Sequence, residues 1–228
     1  MKILTLCNFF LICTLSGYPQ STEWNSEIQS SFIDISGLFG LDEFAQVTTI
    51  QYRKGRFMVD GFHSFSWNEP GKTIQSFFGA GYVFPFDTTG SKSLTLKNDF
   101  AFNRVANNGS FLRPMVVYKW QWQPRHTFYI VSWLFLDTRR EPLQPLNGGT
   151  IYLANTYSLP FKKITFRDEL RILFVTINNL RDVVGAVNQL KISINRNKFY
   201  AVSNLGFSFY RSDGLTQWIW NIGIGKSF

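Results

Sequence analysis

Along much of this chain, apolar and polar residues alternate with a period of two. Between Ser93 and Val105 one face collects Leu94, Leu96, Phe100 and Phe102, and the other Thr95, Lys97, Asp99, Ala101 and Asn103. From Leu112 to Gln123, Leu112, Val116, Tyr118, Trp120 and Trp122 oppose Arg113, Met115, Val117, Lys119, Gln121 and Gln123. Ile164, Phe166, Leu170, Ile172 and Phe174 oppose Thr165, Arg167, Glu169 and Arg171, and Leu190, Ile192 and Ile194 oppose Gln189, Lys191, Ser193 and Asn195. Phe199, Ala201, Leu205, Phe207 and Phe209 oppose Tyr200, Asn204, Gly206, Ser208 and Tyr210. Successive side chains of a strand point to opposite sides, so each segment is predicted to be a strand with one greasy and one polar face.

Turn chemistry separates these segments at Asn68-Glu69-Pro70-Gly71, Thr88-Thr89-Gly90-Ser91, Asn107-Asn108-Gly109 and Ser212-Asp213-Gly214. Longer connections fall at Glu141 to Gly149 and around Asn178 to Gly185. Other stretches alternate less cleanly. Phe128 to Leu136 is apolar on both faces, and Ile74 to Phe86 sets Gly79 and Gly81 against Phe78, Ala80, Tyr82 and Phe84, which suggests close packing inside. Phe44 to Arg53 reads as a strand without a clearly apolar face, and Ile28 to Ile35 as either the first strand or a lead-in. The expected total is about ten to twelve strands, an even number joined by antiparallel hairpins.

The start of the chain has a different pattern. Lys2 precedes an apolar stretch from Ile3 to Leu15, followed by Ser16 and Gly17. That is the layout of a secretory signal peptide over residues 1–17, too short for a spanning helix. Residues 18–228 then form one domain, with no linker or composition shift inside it. Both cysteines, Cys7 and Cys13, lie in the leader, so the exported chain has no disulfide and needs either a large core or a membrane for stability. No later apolar run reaches helix-spanning length, so membrane entry requires a closed sheet with every backbone group paired. The aromatic share of 18%, with 24 Phe and 7 Trp, suits a lipid-facing surface. Trp67, Trp120, Trp122, Tyr129, Trp218 and Trp220 are expected in headgroup girdles.

The segment Thr216 to Phe228 reads TQWIWNIGIGKSF, with Trp218, Trp220, Ile222, Ile224 and Phe228 on one face and mostly small or polar residues on the other. With the leader and the alternating segments, it resembles the Gram-negative outer-membrane β-barrel proteins at the level of the class, with no motif for a named family. The resemblance implies an all-β fold, an antiparallel up-and-down transmembrane barrel in the outer membrane. It also implies that barrel assembly machinery reads the last strand as its signal. Membrane lipid and lipopolysaccharide would be the surroundings, and an envelope protein a further partner.

Charge sharpens the functional reading. The net formal charge of +8 is compatible with anionic partners, but export argues against nucleic acid, and no Lys/Arg run exceeds Arg139-Arg140 or Lys162-Lys163. A basic side chain facing lipid at mid-depth costs roughly 2–4 kcal/mol. Lys97, Arg113, Lys119, Arg167, Arg171 and Lys191, with Asp60, Asp99 and Glu169, are therefore expected in the lumen. Such a set either neutralises itself across strands or leaves a positive interior that favours small polar or anionic solutes. The function expected is that of a non-enzymatic narrow channel, or of a structural or accessory subunit.

Two alternatives differ in class. A soluble secreted barrel would turn its Phe/Trp face inward around an apolar ligand. A lipid-modifying barrel enzyme resembling outer-membrane phospholipases or lipid A deacylases would place Ser two residues from His on one strand. Here Phe65 and Phe128 stand two residues after His63 and His126, and Ser64 and Ser66 fall on the face opposite His63, so no catalytic residues are assigned. The two histidines are expected at an interface or strand end. With no HxH or HExxH spacing, no metal site or cofactor is expected.

Overall fold

The computed structural model describes residues 20–33, 40–69, 72–103, 109–138, 148–177, 180–194, 198–210 and 214–228. The predicted leader and the turn at Asn107-Asn108 lie outside the described residues, as does most of the connection from Glu141 to Gly149. The elements are β1 (Gln20–Gln29), β2 (Phe32–Ile33), β3 (Gly40–Leu41), β4 (Ala45–Lys54), β5 (Phe57–Ser66), β6 (Thr73–Pro85), β7 (Lys92–Asn103), β8 (Gly109–Gln123), β9 (His126–Asp137), β10 (Gly148–Phe161), β11 (Ile164–Ile177), β12 (Leu180–Ile194), β13 (Phe199–Tyr210) and β14 (Leu215–Ser227). β4 to β14 pair antiparallel in chain order, and β1 bonds to both β4 and β14. The ring is a closed twelve-strand up-and-down barrel; β2 and β3 pair as a separate two-stranded sheet. The first strand begins at Gln20, ahead of the Ile28 to Ile35 segment suggested by composition. The reason is pairing: polar Gln20 to Glu27 completes the ladder of β4 from Lys54 to Val47.

Tight connections gather at one end of the barrel, at residues 55–56, 124–125 and 162–163. Gly55 adopts φ 58° and Lys162 φ 52° there, the left-handed geometry that two-residue hairpins demand. β1, β5 and β9 end at the opposite side of the barrel, at Gln29, Ser66 and Asp137. These are the turn end and the loop end below. At the turn end Asp87 organises the β6–β7 connection, accepting hydrogen bonds from Ser91 Oγ at 2.6 Å, Ser91 N and Thr89 Oγ1 at 2.9 Å and Lys92 N at 3.0 Å. Those donors, Ser91 first, hold its carboxyl down to about 2. Because the folded value is depressed, this support for the turn is complete above the ordinary carboxylate range near ~4.

The outer surface is mostly apolar, with polar exceptions such as Asp168, which accepts a hydrogen bond from Asn188 Nδ2 at 2.8 Å. Trp218, Trp220, Ile222, Ile224 and Phe228 all point outward and are exposed, as are Phe78, Leu96, Phe100, Ile151, Leu170, Ile172, Phe174 and Leu205 on other strands. Aromatic pairs mark both rims: Trp24 with Phe228 at 5.5 Å on the turn side, and Phe44 with Trp67 at 6.5 Å on the loop side. A coat of this kind has hydrocarbon as its solvent. Tyr129 departs from the expected girdle and lines the lumen instead. It shares its face of β9 with Val131 and Trp133, both buried.

The interior is layered along the barrel axis. On the turn side charged and polar inward residues stand among apolar ones such as Met58, Val83, Met115 and Val117. Toward the loop end the same strands switch to apolar: Lys97 and Asp99 give way to Ala101, Arg113 to Phe111, Arg171 to Leu173 and Val175, and Lys191 and Gln189 to Val187 and Val183. Phe32, from the segment after β1, is fully buried in this apolar cluster with Ala45, Val47, Phe62 and Ile74. The expectation of a polar interior throughout is thus corrected for those strands in the loop-end half; on others, buried Ser64, Ser66, Gln75 and Thr150 stay polar there. A twelve-strand ring at ~4.8 Å spacing and ~40° tilt has a backbone radius of only about 12 Å, which Phe and Trp side chains can span.

Two measurements follow from this arrangement. Replacing outward-facing Ile172 by Arg should cost about 2–4 kcal/mol of folding stability, read as a lower denaturant midpoint in lipid bilayers. Acidification should leave the Asp87 turn intact until the pH falls through about 2, read from amide exchange at Ser91 and Lys92; in Asp87→Ala that step should be absent.

Candidate lumenal site

Three polar networks line the lumen, two on the turn side and a third that reaches the loop end of β1 at Gln29. The first spans β5 to β8. Lys97 Nζ lies 2.6 Å from Asp60 Oδ2 and 3.0 Å from Asp99 Oδ1. Arg113 grips Asp99 through Nη2 and, at 3.1 Å, through Nε. Asp99 is fully buried and Arg113 nearly so. The guanidinium is also sandwiched by rings, 4.6 Å from the centroid of Phe77 and 5.5 Å from that of Trp133. Such stacking stabilises a cation removed from water.

Glycine makes this network possible. Gly79 and Gly81 face inward on β6, opposite Asp99 and Lys97. A Cβ on Gly79 would lie 1.8 Å from Asp99 Oδ1, and one on Gly81 3.0 Å from Lys97 Cβ. The two charged side chains therefore lie flat across β6 in space that any other residue would fill.

In the second network Glu169, on β11, accepts hydrogen bonds from Arg171 Nε at 2.5 Å, Arg167 Nη2 at 2.9 Å and Thr156 Oγ1 at 3.1 Å. The third knits the barrel seam. Gln189, Asn204, Asn221 and Gln29 form a side-chain ladder across β12, β13, β14 and β1, with links of 2.7, 2.7 and 3.2 Å, and Gln29 donates to Glu27 at 2.9 Å. Lys191 Nζ sits 3.5 Å from the Tyr200 ring centroid. Inward-facing Gly223 and Gly225 leave room for Glu27 and Tyr200.

Between the networks and the turn end lies a cavity of about 440 Å³, lined by Arg53, Met58, Asp60, Lys97, Arg113, Lys119, Tyr129, Trp133 and Tyr152 among others. The ionic network of Asp60, Lys97, Asp99 and Arg113 forms its floor. Arg53 and Lys119 stand nearer the mouth; Arg53 donates to the Gly55 carbonyl at 3.2 Å, and neither has a carboxylate partner among the described residues. The cavity is thus a vestibule with neutralised charge at its base and free cations at its entrance. Beyond the floor, Phe62 stacks on Phe77 at 5.3 Å and Phe111 packs edge-on to Phe135 at 5.2 Å.

Of the nine charged residues named from the sequence, Asp60, Lys97, Arg113 and Lys119 line the cavity, and Asp99 and Glu169 are buried. The structure distributes them over separate clusters: Asp60, Lys97, Asp99 and Arg113 together, Arg167, Glu169 and Arg171 together, Lys191 by the seam, and Lys119 in the vestibule. Sequence reasoning missed Arg53 and the ring set of Phe77, Trp133 and Tyr152. Arg53 was legible, because it shares a face with Gln51 just before the Gly55 turn. The rings were not, because β9 is apolar on both sides. Ser64 and Ser66 are buried on the inner face, and Ser64 Oγ is tied to backbone Gln75 at 3.1 Å. His63 points outward in mid-strand, not at a strand end. His126 does stand at the start of β9, its ring 4.7 Å from that of Tyr157.

No protein-family model matches the chain, and no curated protein matches it. Solved structures do. A structure described as KdgM porin superposes with TM-score 0.60 at 11% identity, covering 90% of this chain and 99% of the porin. The NanC porin gives 0.58 at 12% identity, with 90% and 99% covered. The fold is that of the outer-membrane porins. An outer-membrane channel from Pseudomonas putida F1 gives 0.57 at 9% identity, covering 95% of this chain and 98% of the channel. KdgM porin is also described in complex with disordered oligogalacturonate.

The buried ion pair can be tested directly. Asp99→Ala strands the Arg113 charge in a dry site and should cost about 3–5 kcal/mol, read from denaturant midpoints. Adding Arg113→Leu should recover much of that loss, because Lys97 still has Asp60.

Proposed function

We propose that the protein is a non-enzymatic outer-membrane channel that admits small anionic or polar solutes into its basic vestibule. The carrying observation is the contrast between the paired ionic floor and the unpaired Arg53 and Lys119 near the mouth. Charges that are already neutralised contribute little to an incoming ion, whereas exposed cations on a low-dielectric wall attract anions. Tyr129, Trp133 and Tyr152 supply flat surfaces for the remainder of such a solute. The shared fold with a porin described with oligogalacturonate supports a solute rich in carboxylates.

Passage further along the axis meets the ring stratum of Phe62, Phe77, Phe111 and Phe135. An apolar constriction resists ions by excluding water, so conduction is expected to be small and limited there. The same stratum favours a second reading, a sealed barrel acting as a structural or accessory subunit, in which the charges serve only to hold the wall together.

Planar-bilayer recording separates the two. The wild-type channel should show an anion-selective reversal potential in a salt gradient. Arg53→Glu with Lys119→Glu should move that potential toward cation selectivity, and Phe111→Ala with Phe135→Ala should raise conductance severalfold. Absence of current in the wild type and in the ring variants alike would leave the sealed barrel.

A further inference from the structure

A collar of cations follows the rim of the barrel at the turn end. Each connection between neighbouring strands there brings at least one: Arg56 between β4 and β5, Lys92 at the start of β7, Arg125 between β8 and β9, Lys162 and Lys163 between β10 and β11, and Lys198 ahead of β13. Lys226 adds a seventh near the end of β14, in register with Phe199. All seven are exposed, and none has a carboxylate within ion-pair distance among the described residues. Nearby carboxylates are committed elsewhere. Asp87 takes four hydrogen bonds inside its own turn, and Asp168 on the outer wall accepts from Asn188 Nδ2 at 2.8 Å. Glu23 shares the face of β1 that carries Glu27 and Gln29.

Aromatic rings fix the depth and the side of this collar. Lys226 Nζ lies 5.0 Å from the ring centroid of Phe228 and 5.3 Å from that of Phe199. Lys162 Nζ lies 5.6 Å from Phe161, and Lys92 Nζ 5.7 Å from Trp120. All four rings belong to the exposed outer coat. A lysine held over an outward ring at the rim lays its stem on apolar surface and keeps its ammonium at the level of the headgroups. Arg53 and Lys119, at the same end, face the vestibule instead.

We propose that the collar binds the phosphates of anionic phospholipids in the leaflet at the turn end. Three features select that occupant. The cations run from the β4–β5 turn round to β14, so what they meet encircles the barrel, as a shell of lipid does and a protein docked on one sector does not. The ring contacts put Lys92, Lys162 and Lys226 on the outer wall, where a solute in the vestibule does not reach them. Seven cations without counter-ions in the protein find their charge complement outside it, and anionic headgroups attract Lys and Arg at the membrane surface. Short turns of outer-membrane barrels face the periplasm, which sets the collar against the phospholipid leaflet. The proposal concerns the outer rim and does not depend on the reading of the lumen.

Native mass spectrometry of the folded barrel, released from vesicles of phosphatidylcholine mixed with phosphatidylglycerol, tests it. Phosphatidylglycerol should be retained severalfold above its share of the vesicle. Lys162→Gln with Lys163→Gln should lose part of that enrichment. Adding Lys92→Gln and Lys226→Gln should remove most of it, while the heat-modifiable shift of the folded barrel on gels stays intact. Arg53→Gln with Lys119→Gln takes two cations from the lumen at the same end and should leave the enrichment unchanged. Sodium chloride and inorganic phosphate at equal ionic strength should weaken it equally, because both act by screening. No enrichment in the wild type, or equal enrichment in the four-lysine variant, would overturn the proposal. So would a far larger loss to inorganic phosphate than to chloride, the mark of a free-anion site, or a loss in the lumenal pair as large as in the four-lysine variant.

Discussion

Hydrocarbon accepts no hydrogen bonds, and that constraint organises this molecule. Every backbone group at membrane depth needs a neighbour, so the sheet has to return on itself; β1 does this by bonding to β4 along one edge and to β14 along the other. Closure then gives each strand two different solvents. The period-two alternation of the chain sorts residues between them, with most aromatic and branched side chains toward lipid and most ionised ones toward the axis. Asp99 and Arg113 illustrate the result, since two full charges at near-zero exposure survive because each is the other's solvation.

The lumen is not a uniform bore. Its turn-side half holds the charged networks and opens into the vestibule, whereas much of its loop-side half is filled with Phe, Val and Leu from the walls and with Phe32 from the segment after β1, beside buried Ser64, Ser66 and Gln75. Rings at the boundary belong to both halves, because Phe77 and Trp133 pack with the apolar layer and also face the Arg113 guanidinium. The ionic floor and the apolar stratum are thus mechanically coupled, and a change in either will be felt by the other.

Much of this was legible in the chain itself. Alternation through Leu94 to Asn103 and through Ile164 to Phe174 identified strands and faces, and lipid cost alone placed Arg113 and Glu169 inside. What escaped was variation along each strand. Inward positions such as Leu173, Val175, Val183 and Val187 are apolar like the outward ones beside them, so the period-two signal fades toward the loop end and with it the information about facing. Tyr129 was misplaced for the same reason. His63 was misread because a strand end is where an imidazole is usually satisfied. Its mid-strand position appears only once the register with Thr48 and Ser76 is known.

The two edges that β1 joins are unequal. Its ladder with β4 runs from Gln20 to Gln29, but its ladder with β14 covers only Asn25 to Gln29. Past that point β14 is held by Ser30 and Ser31: Ser30 N donates to Ile222 O at 2.9 Å, Ser30 Oγ accepts from Ile222 N at 3.1 Å, and Ser31 Oγ donates to Trp220 O at 2.9 Å. Two serines stand in for a missing stretch of strand, making this seam the weakest line of the cylinder. A barrel pulled open by force will part there first, peeling β14 away as a lone ribbon while the other strands are still joined edge to edge.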